Sequence, residues 1–482
     1  MLNLKFDINL IGRLLVILAI FMITIIPWIL YFGELHQLIP VIESISLTLI
    51  LGLILIYTTR KYSKEIKLRD SYLIVSLIWI IMGIIGSLPY YLSGSIPIFT
   101  DALFESVSGF TTTGSSILTD IEALPKSILF WRSLTHWIGG MGIVVLAIAI
   151  LPALKVAGYQ LFSMEASGIM ADKIKPRTAD IAKRLWGIYV LLTIVVVFLL
   201  MLGGVNLYES LCHAFGTVAT GGFSIKNQSV GFYSPYIQYV IMTFMLLSGI
   251  NFTIHYYLLK GDLKKIMINS ELKAFIGIIA SVGFAITAIL IFKHNLGFEQ
   301  AFRESFFQVI SIITATGFAT SDYLLWDDSA WALIFLLMFI GACIGSTGGG
   351  IKVARHVVAA KTFFRLFNKI VRPNLVKPVK LNGQVISDEN TFSIVSFIFI
   401  YLGIFVIGAL AMSFMGLDLS TSLSSVITTM GGIGPGLGSV GPASNFAHIP
   451  VAGKMLLTLM MILGRLEIFT LLILFTPGFW RV

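Results

Sequence analysis

Apolar residues recur in ten stretches, near 11–32, 42–59, 71–92, 127–152, 184–204, 235–257, 274–292, 330–352, 392–415 and 449–476. At about 20 residues and helical rise, each crosses a hydrocarbon core roughly 30 Å thick. Between them lie four shorter apolar segments of about three helical turns, too short to span, and each runs into glycine. The turns read Phe110-Thr111-Thr112-Thr113-Gly114-Ser115, Val218-Ala219-Thr220-Gly221-Gly222, Thr314-Ala315-Thr316-Gly317-Phe318, and Gly431-Gly432-Ile433-Gly434-Pro435-Gly436. A chain that dips into a membrane and turns on glycine exposes backbone carbonyls at depth, which lipid does not tolerate unless they line a wet pathway.

Alignment on Gly114, Gly221, Gly317 and Gly434 brings the preceding segments into register. Asp101-Ala-Leu-Phe-Glu-Ser-Val-Ser matches Glu304-Ser-Phe-Phe-Gln-Val-Ile-Ser, each acid thirteen residues before its glycine. Thr421-Ser-Leu-Ser-Ser-Val-Ile-Thr keeps the apolar spacing, and Tyr208-Glu-Ser-Leu-Cys-His-Ala-Phe diverges most. An even number of crossings separates equivalent turns, so all four fall on one side as parallel repeats about an axis along the membrane normal, unlike the inverted repeats of many secondary transporters. The expected fold is an all-α polytopic membrane protein. Residues 1–70 supply two N-terminal helices and a cytoplasmic loop. Four helix, pore helix, helix repeats follow at 71–182, 183–272, 273–390 and 391–482, around one pseudo-four-fold pore.

Glycine accepts positive φ, so successive carbonyls can face one axis and replace a cation's water shell. The candidate filter is Thr111, Thr112, Thr113 and Gly114; Val218, Ala219, Thr220 and Gly221; Thr314, Ala315, Thr316 and Gly317; and Gly431, Gly432, Ile433 and Gly434. Glycine at each central position favours potassium, which sheds its hydration more easily than sodium. The fourth turn departs most, with Ile433 and a stiffening Pro435.

Composition narrows the class. The chain is 57% hydrophobic and 12% charged, with mean hydropathy +0.93, which excludes a soluble globule. Its first apolar stretch continues without an A-x-A-like cleavage site and reads as an uncleaved span. Basic residues fill alternate loops: Arg60 to Arg69, Lys155 to Arg184, Lys260 to Lys273, and Lys352 to Lys380. By the positive-inside rule these loops and both termini are cytoplasmic, and the net charge of +9 is a topological signal, not a nucleic-acid one. The opposite loops are acid-rich, with Glu34, Glu43, Asp101, Glu105, Asp120, Glu122, Glu209, Glu299, Glu304, Asp322, Asp327, Asp328 and Asp418. These acids either concentrate cations at a mouth or only keep the loops solvated.

Several motifs resemble the Trk/Ktr/HKT superfamily of potassium transporters, and most closely its bacterial TrkH/TrkG branch. They are Phe130-Trp-Arg-Ser-Leu-Thr-His-Trp-Ile-Gly-Gly-Met-Gly-Ile143 with Ala149-Ile-Leu-Pro152, Asn251-Phe-Thr-Ile-His255, Gly345-Ser-Thr-Gly-Gly-Gly-Ile-Lys352, Gly434-Pro-Gly-Leu-Gly438 and Gly464-Arg-Leu-Glu-Ile-Phe469. The resemblance covers nearly the whole chain. It implies potassium uptake across the bacterial cytoplasmic membrane, a homodimer with one pore per protomer, and a cytosolic nucleotide-binding regulatory subunit of TrkA type. Potassium is then the transported ion and the only expected metal, held at the filter residues, and any nucleotide belongs to the partner.

Two features predict a gate. The eighth span carries Gly341 and then Gly345, Ser346, Thr347, Gly348, Gly349 and Gly350. Each mid-helix glycine costs roughly 1 kcal/mol against alanine, which favours a break into an intramembrane loop over close helix packing. Arg465 lies near the middle of the last span, where arginine costs at least ~2.5–3.5 kcal/mol, and its helical neighbours Met461, Ile462, Ile468 and Phe469 are apolar. Carbonyls of the 345–350 loop are its expected partners, the alternatives being snorkelling or helix packing. The basic run to Lys380 either transmits a pull from the cytosolic partner or contacts anionic lipid.

Other signals fail. Gly436-Leu-Gly438-Ser-Val-Gly441 has no preceding strand, Ile351 stands where a phosphate loop needs lysine, and the seven histidines lack metal-ligand spacing. Cys212 and Cys343 form no framework. Neither a carboxylate pair nor a nucleophile with a base argues for an enzyme. The expected activity is passive potassium uptake, with Na⁺- or H⁺-coupled symport on the same fold as the alternative.

Overall fold

The computed structural model describes residues 3–60, 68–149, 178–374 and 378–480. Among the described residues six helices are long and apolar enough to cross a membrane: Leu4–Phe32, Leu35–Thr58, Arg69–Leu92, Lys183–Leu202, Ser270–His294 and Asp388–Phe414. Two further spans are bent, Pro235–Gly249 with Phe252–Leu259 at 101° and Val451–Arg465 with Phe469–Phe475 at 109°. The fourth predicted stretch forms the helix Lys126–Ala149, and its expected end at 150–152 lies outside the described residues. So do Lys61, Lys64 and Lys67, the basic loop residues Lys155 to Arg177, and Lys377. The eighth differs most from a simple span: its helix, Asp328–Leu337, is only 10 residues long.

Each bend has a local cause. In the first, Asn251 sits past Gly249 and accepts the N–H of Thr253 (2.8 Å), starting a new helix in a new direction. In the second, Glu467 and Ile468 take φ of 53° and 58°. That region is costly for a β-branched residue, so the surroundings must impose it.

The four short segments are helices, as expected: Phe99–Phe110, Leu207–Val218, Phe298–Ile313 and Leu419–Gly431. Asn206 and Asp418 cap two of them, accepting the N–H groups of Glu209 (2.9 Å) and Thr421 (3.0 Å). Their last residues are fully buried and run directly into the glycine turns. The negative ends of four helix dipoles thus meet there, a favourable field for a cation.

The ring of repeats is closed by charge. Lys454, on the final transmembrane helix, donates to Asp101 of the first pore helix (2.8 Å), and both side chains are largely buried. Among the described residues the only departure from helix and loop is a two-stranded ribbon in which Lys380 pairs with Val385 and Leu381 with Gln384. Its turn is Asn382-Gly383, with φ of 50° and 81°, the residue pair that tight hairpins favour.

Lys454→Met leaves Asp101 buried and uncompensated. It should lower stability by about 3 kcal/mol, with part recovered in the Asp101→Asn, Lys454→Met pair, as read by thermal unfolding in detergent.

Candidate functional site: a four-segment ring with an intramembrane loop beneath it

The four turns share one backbone. Gly114, Gly222, Gly317 and Gly434 have φ of 82°, 79°, 82° and 95°, and the residues two positions earlier, Thr112, Thr220, Ala315 and Gly432, have φ of 54°, 53°, 56° and 67°. The residues between, Thr113, Gly221, Thr316 and Ile433, each donate their N–H to the carbonyl five positions back, at 2.9, 2.8, 2.8 and 2.8 Å. Alternating left-handed and ordinary residues turns successive carbonyls the same way.

This regularity corrects the register of the second segment. Its equivalent of Gly114 is Gly222, not Gly221, so the matching residues are Ala219, Thr220, Gly221 and Gly222, and Val218 is the last residue of the pore helix. Two adjacent glycines made the alignment ambiguous, and only backbone conformation separates them.

The four glycines also close a circle. A Cβ on Gly114 would lie 2.2 Å from the Gly221 carbonyl oxygen, on Gly222 2.0 Å from that of Thr316, on Gly317 2.0 Å from that of Ile433, and on Gly434 2.9 Å from that of Thr113. Each segment therefore abuts the next, in the order one, two, three, four, one. A side chain at any of these positions would push a neighbouring carbonyl aside.

Polar residues on the pore helices brace the returning strands. Glu105 accepts from Ser116 Oγ (2.9 Å) and Ile117 N–H (2.9 Å), and His213 Nε2 lies 3.1 Å from Ser224 Oγ. Gln308 donates to the Ser321 carbonyl (3.1 Å), and Ser424 donates to that of Leu437 (2.9 Å). Arg132 joins the first two braces: its Nε reaches Glu105 at 2.6 Å, it donates to the Ser224 carbonyl at 2.8 Å, and its guanidinium lies 3.5 Å from the centre of the Phe223 ring. Both charges are buried, at 2% and 0% exposure. His136 spans the same gap, with Nδ1 2.8 Å from the Gly109 carbonyl and Nε2 accepting the Phe223 N–H (3.1 Å). Sequence reasoning missed these supports. The available signal was an arginine and a glutamate both placed at membrane depth, where each requires a partner.

Above the ring is a cavity of about 170 Å³ bounded by Gly114, Gly222, Gly317 and Gly434. Its charged lining residues are Arg132 and Lys226, not carboxylates. The acids of the outer loops are largely engaged elsewhere. Glu34 accepts from Lys126 and Ser127 N–H at 2.7 and 3.0 Å, Glu122 pairs with Lys226 at 3.4 Å, and Lys293 holds the Asp327 carboxyl well below the usual range. Hydrogen bonds from Ser420 and Thr421 hold that of Asp418 down at about 2. These carboxylates are thus taken up as helix caps and ion-pair partners.

Directly beneath the ring the chain leaves helical structure. The break begins earlier than the glycines suggested, after Leu337, and helix resumes only at Val353. The loop's tip presses on the inner ends of the pore helices. A Cβ on Gly348 would lie 2.5 Å from the Thr314 carbonyl oxygen and one on Gly349 2.3 Å from that of Gly431, while Thr347 Oγ1 donates to the Val218 carbonyl (3.1 Å). Lys352 Nζ folds back onto the Gly348 carbonyl (2.5 Å).

Arg465 completes this floor. It is the last residue of its helix, at the 109° bend and not within a continuous span. As expected its partners include a loop carbonyl: it donates to Thr347 O (3.0 Å) and to Gly139 O (2.9 Å). Gly139 itself lies against Phe110, since a Cβ there would be 1.9 Å from that carbonyl oxygen. The loop and Arg465 together thus reach all four segments. Glu467 pairs with Arg355 (2.5 Å), which stacks at 4.0 Å on Phe397, so the bend is tied to the start of the basic helix Val353–Val371. Among the described residues no group of three His, Cys, Asp or Glu could hold a metal ion.

This arrangement defines a polytopic membrane protein with four pore helices around one axis. The sequence profile of TrkH, described as a cation transport protein, matches residues 39–293 and 278–481. The Trk system potassium uptake protein TrkH of Salmonella typhimurium is 41% identical over 446 residues, covering 91% of this chain and 92% of that one. TrkH of Halomonas elongata is 35% identical over 484 residues, covering 99% and 100%. The crystal structure of the potassium transporter TrkH from Vibrio parahaemolyticus superposes with a TM-score of 0.91 at 34% identity, covering 100% of both chains. The chain belongs to the TrkH family of cation transport proteins, whose named members are transporters and not enzymes.

Alanine at Gly114, Gly222 or Gly317 should abolish cation flux into proteoliposomes, because a neighbouring carbonyl must move by an ångström or more. Gly434→Ala, with its longer contact of 2.9 Å, should keep the most flux per folded protein.

Proposed function

We propose that this protein carries potassium inward across the bacterial cytoplasmic membrane, down its electrochemical gradient, through the ring of four glycine turns. The observation that carries this reading is the closed circle itself, in which each glycine lies against a carbonyl of the next segment. The ion-contacting residues are Thr111 to Gly114, Ala219 to Gly222, Thr314 to Gly317 and Gly431 to Gly434. Oxygen ligands from four sides can replace the water shell of a monovalent cation, and the converging helix ends lower the cost of its charge. Relatives named as potassium uptake proteins support the choice of ion.

The gate in this reading is Gly345 to Gly350 with Arg465. The loop tip occupies the space beneath the filter, and the guanidinium adds a positive charge there, a barrier to any cation leaving inward. Opening requires the Thr347 contacts to Arg465 and to the Val218 carbonyl to separate. The helix Val353–Val371 leads from the loop toward the cytoplasm, so a partner acting on it could bias that separation. Relatives carry the name of a Trk system, which fits a multi-component assembly. We assign this chain the role of a homodimeric membrane subunit with a cytosolic nucleotide-binding partner of TrkA type.

Uptake of ⁸⁶Rb⁺ or K⁺ into proteoliposomes holding this protein alone tests the mechanism. Flux should follow the potassium gradient and membrane potential, and loss of flux without a sodium or proton gradient would establish symport instead. Arg465→Ala should raise flux about tenfold, the equivalent of removing ~1.4 kcal/mol from the barrier. Unchanged flux at normal expression would remove the arginine from the gate.

A further inference from the structure

Glu271 is a buried carboxylate, 1% exposed, in the first turn of the helix Ser270–His294. It takes no part in the ring or in the contacts of Arg465. Its Oε1 accepts the N–H groups of Ile344 (2.8 Å) and Ala354 (3.1 Å). Those two amides flank the intramembrane loop, one on the strand that goes in and one in the first turn of the helix Val353–Val371 that leads out.

The same place holds the loop's other backbone bonds. Gly341 N–H donates to the Ile351 carbonyl (2.5 Å) and Val353 N–H to that of Ala342 (3.2 Å), joining the two strands into a neck. Cys343 N–H donates to the Gly249 carbonyl (3.0 Å), and Phe252 N–H to that of Gly345 (3.1 Å), fixing the neck to the second repeat. Past Gly345 the character of the contacts changes. The tip is held by the Thr347 hydroxyl, by Arg465, by Lys352 on the Gly348 carbonyl, by Ser346 on the Cys343 carbonyl and by glycine packing, and it is bracketed by Gly345 and Gly350, with φ of 73° and 74°. Two glycines in the left-handed region at the ends of a short tip are positions that absorb a backbone rotation cheaply.

We propose that Glu271 is the hinge pin of the intramembrane loop. It holds both strands of the neck still, so that only residues 345–350 swing between their two glycines. The inference rests on the gating reading and makes Glu271 a positioning residue for it. A side chain of this length suits the task because one of its oxygens can accept both N–H groups, and separating two buried donors from their shared acceptor is costly.

The chain carries its own reporter. Cys343 is a buried thiol in the neck, and the other cysteine, Cys212, lies buried in the second pore helix. In the full chain with Cys212→Ser, the rate of Cys343 modification by N-ethylmaleimide reads neck opening. Glu271→Asp keeps the charge but is one methylene too short to reach both amides, and Glu271→Gln keeps the reach and an accepting oxygen. Modification should be at least about tenfold faster than in the parent for Glu271→Asp, and within about threefold of it for Glu271→Gln.

Equal rates for Glu271→Asp and the parent, or a faster rate for Glu271→Gln than for Glu271→Asp, would overturn the assignment. So would exposure of Cys212, measured in a Cys343→Ser background, in step with Cys343, because that would be general loosening. Arg465→Ala separates the hinge from the gate. It should leave Cys343 slow while flux rises; if flux does not rise but Glu271→Asp still exposes Cys343, the gating reading fails and the hinge stands.

Discussion

Backbone groups that leave helical structure inside a bilayer must be met by other groups, because lipid offers them nothing. This constraint governs the centre of the molecule. Four turns and one long loop are non-helical at depth, and many of their N–H groups are met by backbone carbonyls and by side chains brought in for the purpose. Glu105, His136, His213, Gln308 and Ser424 brace the returning strands, while Glu271 and Arg465 serve the loop.

Most of the architecture was legible in the sequence. Spans and pore helices follow from the length of apolar runs, and parallel repeats follow from counting crossings between equivalent glycines. The break in the eighth span was legible too, since clustered glycines are incompatible with a continuous helix. What stayed hidden was geometry that periodicity does not encode. The register of the second segment depends on which of Gly221 and Gly222 takes positive φ. The bend that places Arg465 at a helix end depends on Glu467 and Ile468 adopting a conformation that neither residue type advertises. The Asn382-Gly383 hairpin was a readable turn signal, overshadowed by the basic run around it.

Charge was the less reliable guide. Counting acids in the outer loops left an attracting mouth and merely solvated loops both open; Glu34, Glu122, Asp327 and Asp418 are occupied as caps and ion-pair partners, and the cavity over the ring is lined by Arg132 and Lys226. A sequence gives the number of charges on a side and not their assignments. The assignment decides the field: a carboxylate that caps a helix or pairs with a lysine has much of its attraction taken up by that partner. Under the proposed function, the attraction available to a cation comes from helix ends and carbonyls, which are fixed in place by the fold.

The ring has its first and fourth segments joined by the contact of Gly434 with Thr113 and by the ion pair of Lys454 with Asp101, groups 353 residues apart in the chain. At a synthesis rate of about 5–20 residues per second, the later partner emerges on the order of 20–70 s after the earlier one. The circle of four segments is therefore complete only once the helix Val451–Arg465 has been made, so that under the proposed function the pathway is among the last features of the molecule to form.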